Sequence, residues 1–461
     1  MALIKSISGI RGTIGGKAGE GLSPLDVVRY TAAYGEWILR GFDNRKARIV
    51  IGMDARPSGE MIKKIVSATL NAMGIDVLDL GLATTPTVEI AVTSEKAAGG
   101  IILTASHNPV QWNALKLLNA DGEFVSSGDG AKILEIAEKM DYSFASWDML
   151  GKLEINNSYN KRHIDMLMAM EDINLEKIRE RKFTVVIDCV NSVGGLILPE
   201  LLRRLGVKEI IEIFTEPTGI FPHNPEPLPE NLGELRQAVV DNKADLGFVV
   251  DPDVDRLAIV SEDGSCFNEE YTLVACADYI LSRRRGNTVS NMSSSRALRD
   301  ITEKHGGEWY ASAVGEVNVV EKMKQVDAVI GGEGNGGVIY PPLHHGRDAL
   351  AGIALFLSLL AERGLSCSQL RATYPEYVIS KNRIELSQDS DADAIIRKIH
   401  EELRHKLVST EDGLLLEDEQ GWINIRKSNT EPILRVYSEG RTREDADSQA
   451  EEIIKFVKKI S

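Results

Sequence analysis

The sequence predicts an α/β protein: three similar α/β domains with mixed or parallel sheets, then a C-terminal α+β domain, around a central cleft. Two observations predict it. Apolar, β-prone runs alternate with amphipathic segments through three successive stretches, and such alternation argues for largely parallel sheets covered by helices. Each stretch also closes on a polar loop of unusual composition: TASHNP at 104–109, DPDVDR at 251–256 and GGEGNGG at 331–337. The last quarter breaks the rhythm with short strands and a closing helix. The expected division is 1–155, 156–256, 257–370 and 371–461.

In the first stretch, 47–51 (ARIVI) reads as a strand and 59–73 as an amphipathic helix. A strand at 75–80, a short helix at 87–94 and a last strand at 101–103 follow. The second stretch has strands at 183–187, 210–214 and 246–250, with helices at 194–205 and 231–242. The third leads with a strand at 257–260 (LAIV) and a helix at 268–285. It continues with strands at 288–290, 309–311 and 328–330 and helices at 296–305 and 318–324. IVIGMDARPSG and VVIDCVNSVGG are alike, each an apolar strand with a polar, Gly-containing turn, which supports related units. After an apolar helix at 349–361, the tail shows strands at 383–386, 413–416, 422–425 and 433–437. An amphipathic helix at 443–459 closes the chain.

A chain of 461 residues has room for roughly three or four domains. Hydrophobic residues at 43% and charged ones at 26% are ordinary for a globular protein with large cores. The net charge of −16 disfavours nucleic acid and anionic membranes as partners. It also means that an anionic substrate needs a local basic site. The four cysteines form no CxxC pair, so neither zinc nor a disulfide framework is expected. The start lacks a long apolar run, and the stretch at 349–360 is short of the ~20 residues of a membrane span. A cytoplasmic setting is expected.

Ser106, presented in a polar loop after an apolar strand, reads as a turn serine or as a nucleophile or phosphate carrier. No GxSxG elbow supports a hydrolase triad. Lys116 is a solvated lysine or a cation reaching the same pocket. Asp251, Asp253 and Asp255 stand at alternate positions and can converge on one point. Without a cation they would repel one another, and Mg²⁺ takes such oxygen ligands while leaving positions for phosphate. Arg256 suits a phosphate oxygen beside that metal. An EF-hand is excluded, because Arg256 stands where glycine is needed and a strand precedes the loop. In GGEGNGG, glycines let backbone approach a ligand, and Glu333 and Asn335 offer bonds that sugar hydroxyls require. His344, His345, Arg347 and Asp348 follow, as a proton donor or phosphate contact. Arg426, Ser428, Asn429 and Thr430 form a phosphate cradle or a plain hairpin loop. Arg11 lies in a Gly-flanked loop near the start.

Together these loops resemble the α-D-phosphohexomutase family, over nearly the whole chain and in the family's order. TASHNP is similar to the phosphoserine loop, DPDVDR to the metal loop DGDGDR, GEGNGG to the sugar loop and RKSNTEP to the phosphate loop. GMDAR at 52–56 and FPHNPEP from Phe221 agree more weakly. The resemblance implies four domains lining a cleft, and transfer between 1-phospho and 6-phospho sugars through a hexose 1,6-bisphosphate. It implies that phosphorylated Ser106 donates to the sugar, and that Asp251, Asp253 and Asp255 with that phosphate hold Mg²⁺. Arg11, Lys116 and His107 belong to the catalytic set. Arg256, Glu333, Asn335, His345, Arg347, Arg426, Ser428, Asn429, Thr430 and Arg435 belong to the substrate set. The chain departs from the pattern at Pro252 and Val254, which replace glycines, and at Ala114. Gly337 stands where many members carry histidine, with His344 and His345 the nearby candidates to replace it. GGEGNGG and RDAL look most like a phosphoglucosamine mutase subgroup. The implied substrate is glucosamine phosphate, with mannose or glucose phosphate next, turned over by a monomer or homodimer. A phosphatase and a non-catalytic phosphosugar-binding protein are the alternatives.

Overall fold

A computed structural model describes residues 3–6, 9–41, 47–386, 391–427 and 433–460. Four sheets succeed one another along the chain. The first holds β1 (Leu3–Ser6), β2 (Gly9–Thr13), β3 (Arg48–Met53), β4 (Asp76–Leu82), β5 (Gly99–Leu103), β6 (Trp112–Leu118) and β7 (Leu153–Ile155). Their order is β1-β2-β6-β5-β3-β4-β7. The second holds β8 (Thr184–Asp188), β9 (Glu209–Ile213), β10 (Leu246–Val250) and β11 (Leu257–Ser261), in the order β11-β10-β8-β9. The third holds β12 (Asn287–Asn291), β13 (Trp309–Ser312), β14 (Ala328–Glu333) and β15 (Gly337–Ile339), in the order β13-β12-β14-β15. The last is antiparallel throughout: β16 (Val378–Glu385), β17 (Leu407–Ser409), β18 (Leu414–Glu417), β19 (Trp422–Lys427) and β20 (Ile433–Gly440).

The first three sheets share one motif. A central strand (β3, β8, β12) lies parallel to two neighbours, and the outer of these (β5, β10, β14) pairs with an antiparallel return strand (β6, β11, β15). The chemistry-bearing loops are the turns between outer and return strands. This corrects one sequence expectation. The run at 257–260 does not lead the third unit; β11 pairs with β10 and completes the second sheet. The division expected after residue 256 therefore cuts a hairpin.

The outer strands are apolar because both faces are covered. Every residue of β5 and of β10 is buried. Helix Thr85–Ser94 covers the first sheet and starts at Thr84, whose hydroxyl accepts the Thr87 N–H. The apolar segment expected at 349–361 is a helix, Ala349–Arg363, buried from Ala349 to Ala361. It sits in the largest core, between the second and third units. Among the described residues no helix is long and apolar enough to cross a membrane.

Candidate active site

Ser106 follows β5 with φ +49°, a left-handed conformation uncommon for a non-glycine residue. Its N–H donates to Thr104 Oγ1 at 2.9 Å, and its hydroxyl donates to Asp251 Oδ2 at 2.9 Å. His107 Nδ1 lies 3.3 Å from that hydroxyl. Burial, then the cation Arg256, lowers the His107 pKa to about 2, so the ring is neutral. Arg11 reaches the same loop, donating to Asn108 Oδ1 at 3.5 Å.

One residue that sequence reasoning noticed only within GMDAR holds this loop. The Arg56 guanidinium is fully buried and donates to the carbonyls of Ser106, Asn108 (2.6 Å), Pro109 (2.6 Å) and Trp112 (3.2 Å). Its Nε donates to Asp54 Oδ2 at 2.9 Å, and the Phe221 ring covers its face at 4.9 Å. Phe221 belongs to FPHNPEP, so both weaker motifs meet behind the serine.

The next loop brings three carboxylates together. Asp251, Asp253 and Asp255 are buried, with one oxygen from each within 4.8 Å of the others. Lys116 Nζ lies 2.7 Å from Asp253 Oδ2 and 3.7 Å from Asp255 Oδ2, so it is not a solvated lysine. Thr85 Oγ1 also donates to Asp253 Oδ2, at 2.6 Å. Burial, then Asp255 and Asp253, pushes the Asp251 carboxyl well above the ordinary range. Burial acts the same way on Asp253, but Lys116 and Thr85 outweigh it and hold that carboxyl low. Two triad oxygens, Asp253 Oδ1 and Asp255 Oδ1, are buried without a hydrogen-bond partner. Orphaned carboxylate oxygens beside a serine hydroxyl fit a hard divalent cation that prefers oxygen ligands. Val254 bends the loop at φ +64° and is held by its carbonyl, which accepts the Ala349 N–H at 3.2 Å.

The third loop differs from expectation in detail. Glu333 is not a free acceptor. Its Oε1 accepts from Asn291 Nδ2 at 2.7 Å and from the Gly315 N–H at 3.1 Å, and its Oε2 from Arg347 at 2.5 Å. Asn335 Oδ1 accepts the Gly337 N–H at 3.2 Å. Arg347 is buried among carboxylates. His344 has Glu89 at 3.3 Å and Asp348 at 3.2 Å, and despite burial these carboxylates raise its pKa to about 10. A ring so engaged holds its proton and is a poor replacement for a histidine at 337. His345 is half-buried, with Lys324 and His344 as its charged neighbours. Arg256 stands 3.6 Å from Glu226 and 3.9 Å from Asp255.

Ser428, Asn429 and Thr430 lie outside the described residues. The strands on either side are described, and there Arg426 pairs in register with Arg435, which pairs with Arg383. Three arginines thus face the same way across β19, β20 and β16. Directly opposed like charges are destabilising; Asp412 lies 3.9 Å from Arg426 and Glu385 3.3 Å from Arg383. Arg383 was missed in the sequence because nothing local reveals its cross-strand partner.

Known proteins match this arrangement. Residues 3–143, 161–264 and 268–377 match the phosphoglucomutase/phosphomannomutase alpha/beta/alpha domains I, II and III, and 386–456 its C-terminal domain. A phosphoglucomutase/phosphomannomutase of Thermococcus kodakarensis is 33% identical, with 97% of this chain and 98% of that one aligned. A probable phosphoglucosamine mutase of Pyrococcus abyssi is 34% identical, with 98% and 97% aligned. The crystal structure of a Burkholderia thailandensis phosphoglucomutase/phosphomannomutase family protein superposes with a TM-score of 0.85 at 25% identity, covering 99% and 98% of the two chains. The chain belongs to the phosphoglucomutase/phosphomannomutase family of phosphohexomutases.

Proposed function

We propose that this protein interconverts glucosamine 6-phosphate and glucosamine 1-phosphate through phosphorylated Ser106 and a 1,6-bisphosphate intermediate. One observation carries the reading: the Ser106 hydroxyl points at Asp251, within a carboxylate triad that has two unpartnered oxygens and Lys116 alongside. Asp251, Asp253 and Asp255, with the serine phosphate, would hold Mg²⁺. Bound there, the ion supplies neutralisation of charge on the transferring phosphoryl group.

The chain's own residues supply the rest. Arg56 fixes the carbonyls around Ser106, so the donor oxygen is held in one place. Lys116 places a cation beside the triad, and Arg11 and Arg256 bring positive charge to the mouth of the phosphoserine loop. His107 offers a neutral ring nitrogen 3.3 Å from the serine oxygen. The phosphoryl group passes from Ser106 to the free hydroxyl of the sugar phosphate: the P–O bond to the serine oxygen breaks as the bond to the sugar oxygen forms, and the proton of the sugar hydroxyl ends on the Ser106 oxygen, which leaves as a hydroxyl. The bisphosphate turns, and its other phosphoryl group returns to Ser106. Arg426 and Arg435 flank the loop with Ser428, Asn429 and Thr430 that would grip the distant phosphate in either orientation.

Glucosamine is favoured by the GGEGNGG and RDAL wording and by the name of the Pyrococcus abyssi relative. The Thermococcus kodakarensis relative supports mannose or glucose phosphate as the second reading. The test is a side-by-side assay of glucosamine, glucose and mannose 6-phosphates, with Mg²⁺ and the matching bisphosphate. Glucosamine 6-phosphate is expected to show the highest kcat/KM, and Ser106→Ala to abolish turnover. Higher kcat/KM on mannose or glucose phosphate replaces the substrate. Full turnover by Ser106→Ala overturns the phosphoserine mechanism.

A further inference from the structure

Arg347 occupies space that a side chain at residue 337 would need. A Cβ on Gly337 would lie 2.3 Å from Arg347 Cδ and 3.0 Å from its Cγ. The bare backbone lets the arginine stem pass, and its guanidinium meets carboxylates from three segments. One terminal nitrogen lies 2.6 Å from Asp255 Oδ2, the other 2.5 Å from Glu333 Oε2, and Nε 3.1 Å from Glu316 Oε2. The Arg347 N–H donates to Glu316 Oε1 at 3.0 Å.

The segment carrying Arg347 is pinned on its other side. The Asp348 N–H donates to the Val338 carbonyl at 2.8 Å, and its carboxylate meets His163 at 2.9 Å and starts helix Ala349–Arg363. The guanidinium is therefore a fixed, buried fork between the loop bearing Asp255 and the loop bearing Glu333. A planar fork can hold two carboxylates at once in a way that a lysine cannot.

We propose that Arg347 is a positioning residue that couples the metal loop to the sugar loop. This rests on the reading of those loops given above. Arg347 engages Asp255 Oδ2 and leaves Oδ1 open. Glu333 offsets the charge of Arg347, so removing Glu333 leaves the cation pressing on Asp255. A change in the sugar loop is thus felt as weaker cation binding at the triad.

A double-mutant cycle tests this with Mg²⁺ alone, titrated calorimetrically into dephosphorylated protein without substrate. Glu333→Gln is expected to weaken Mg²⁺ binding about five- to tenfold in the wild-type background. In the Arg347→Gln background the same change should shift it less than about twofold. Gly337→Ala, which displaces the arginine stem and alters no charge, should reduce the coupling too, and it serves if Arg347→Gln fails to fold. Equal Glu333→Gln effects in both backgrounds, or none in the wild type, overturn the coupling and leave the metal loop intact. Failure of the wild type to bind Mg²⁺ overturns the metal-loop reading itself.

Discussion

Arg56→Lys is the substitution that best tests how the Ser106 loop is held. The guanidinium makes five hydrogen bonds, to four loop carbonyls and to Asp54. A lysine has three donors on one nitrogen, so at least two of these acceptors lose their partner. A buried acceptor left unsatisfied costs about 1–3 kcal/mol, so the loss is about 2–4 kcal/mol if part of the loop relaxes. Denaturant unfolding should show it as a lower midpoint at unchanged slope. If about 2 kcal/mol of it falls on positioning of the donor oxygen, turnover drops about 30-fold. The assay pairs urea unfolding with the rate at which Ser106 gains phosphate from a hexose bisphosphate, read by intact mass. An Arg56→Lys protein with wild-type stability and phosphorylation rate would refute the reasoning.

Three further outcomes follow from the same geometry. Asp253→Asn removes the charge that balances Lys116 and one carboxylate of the triad, so on the proposed reading Mg²⁺-dependent turnover should fall about a hundredfold; an unchanged rate argues against the metal loop. Val254 sits at φ +64°, so Val254→Gly should be more stable than Val254→Ala by about 1 kcal/mol, reversing the usual order; thermal melts decide, and alanine above glycine refutes the strain. Burial pushes the Glu270 carboxyl from 4.5 up to about 8. A carboxyl raised by folding contributes stability in full below its unfolded value and loses it as pH rises through the folded one. Stability should therefore decline between about pH 5 and 8, and Glu270→Gln should flatten that decline; parallel slopes in the two proteins would contradict it.

The parts legible in the sequence were those with a local signal. The buried strands β5 and β10 show as apolar runs, and the loops after them as polar breaks with carboxylates or a serine. The return strands carry no such signal. β15 has three residues, and β11 looks like any apolar strand, so its sequence does not distinguish the start of a third unit from the return strand that its pairing with β10 makes it. Side-chain roles that depend on burial were less visible still. Glu333 reads as a free acceptor in a Gly-rich loop, yet a buried carboxylate needs partners, and Asn291 and Arg347 provide them. Arg56 reads as one letter of a weak motif, because the four carbonyls it serves lie about fifty residues away.

The return strands also constrain how the cleft can move. A loop whose two ends belong to adjacent strands of one sheet is stapled at both sides, and the sheet fixes the distance between its feet. Ser106 and the triad stand on such stapled loops, and Glu333 is the last residue of the strand that leads into a third. None of them is free to swing as a lid swings. On the reading proposed above, room for a bisphosphate to turn would come from a shift of whole sheets against one another, carried by the segments between them. Such a shift would keep the spacing within each corner and change only the spacing between corners.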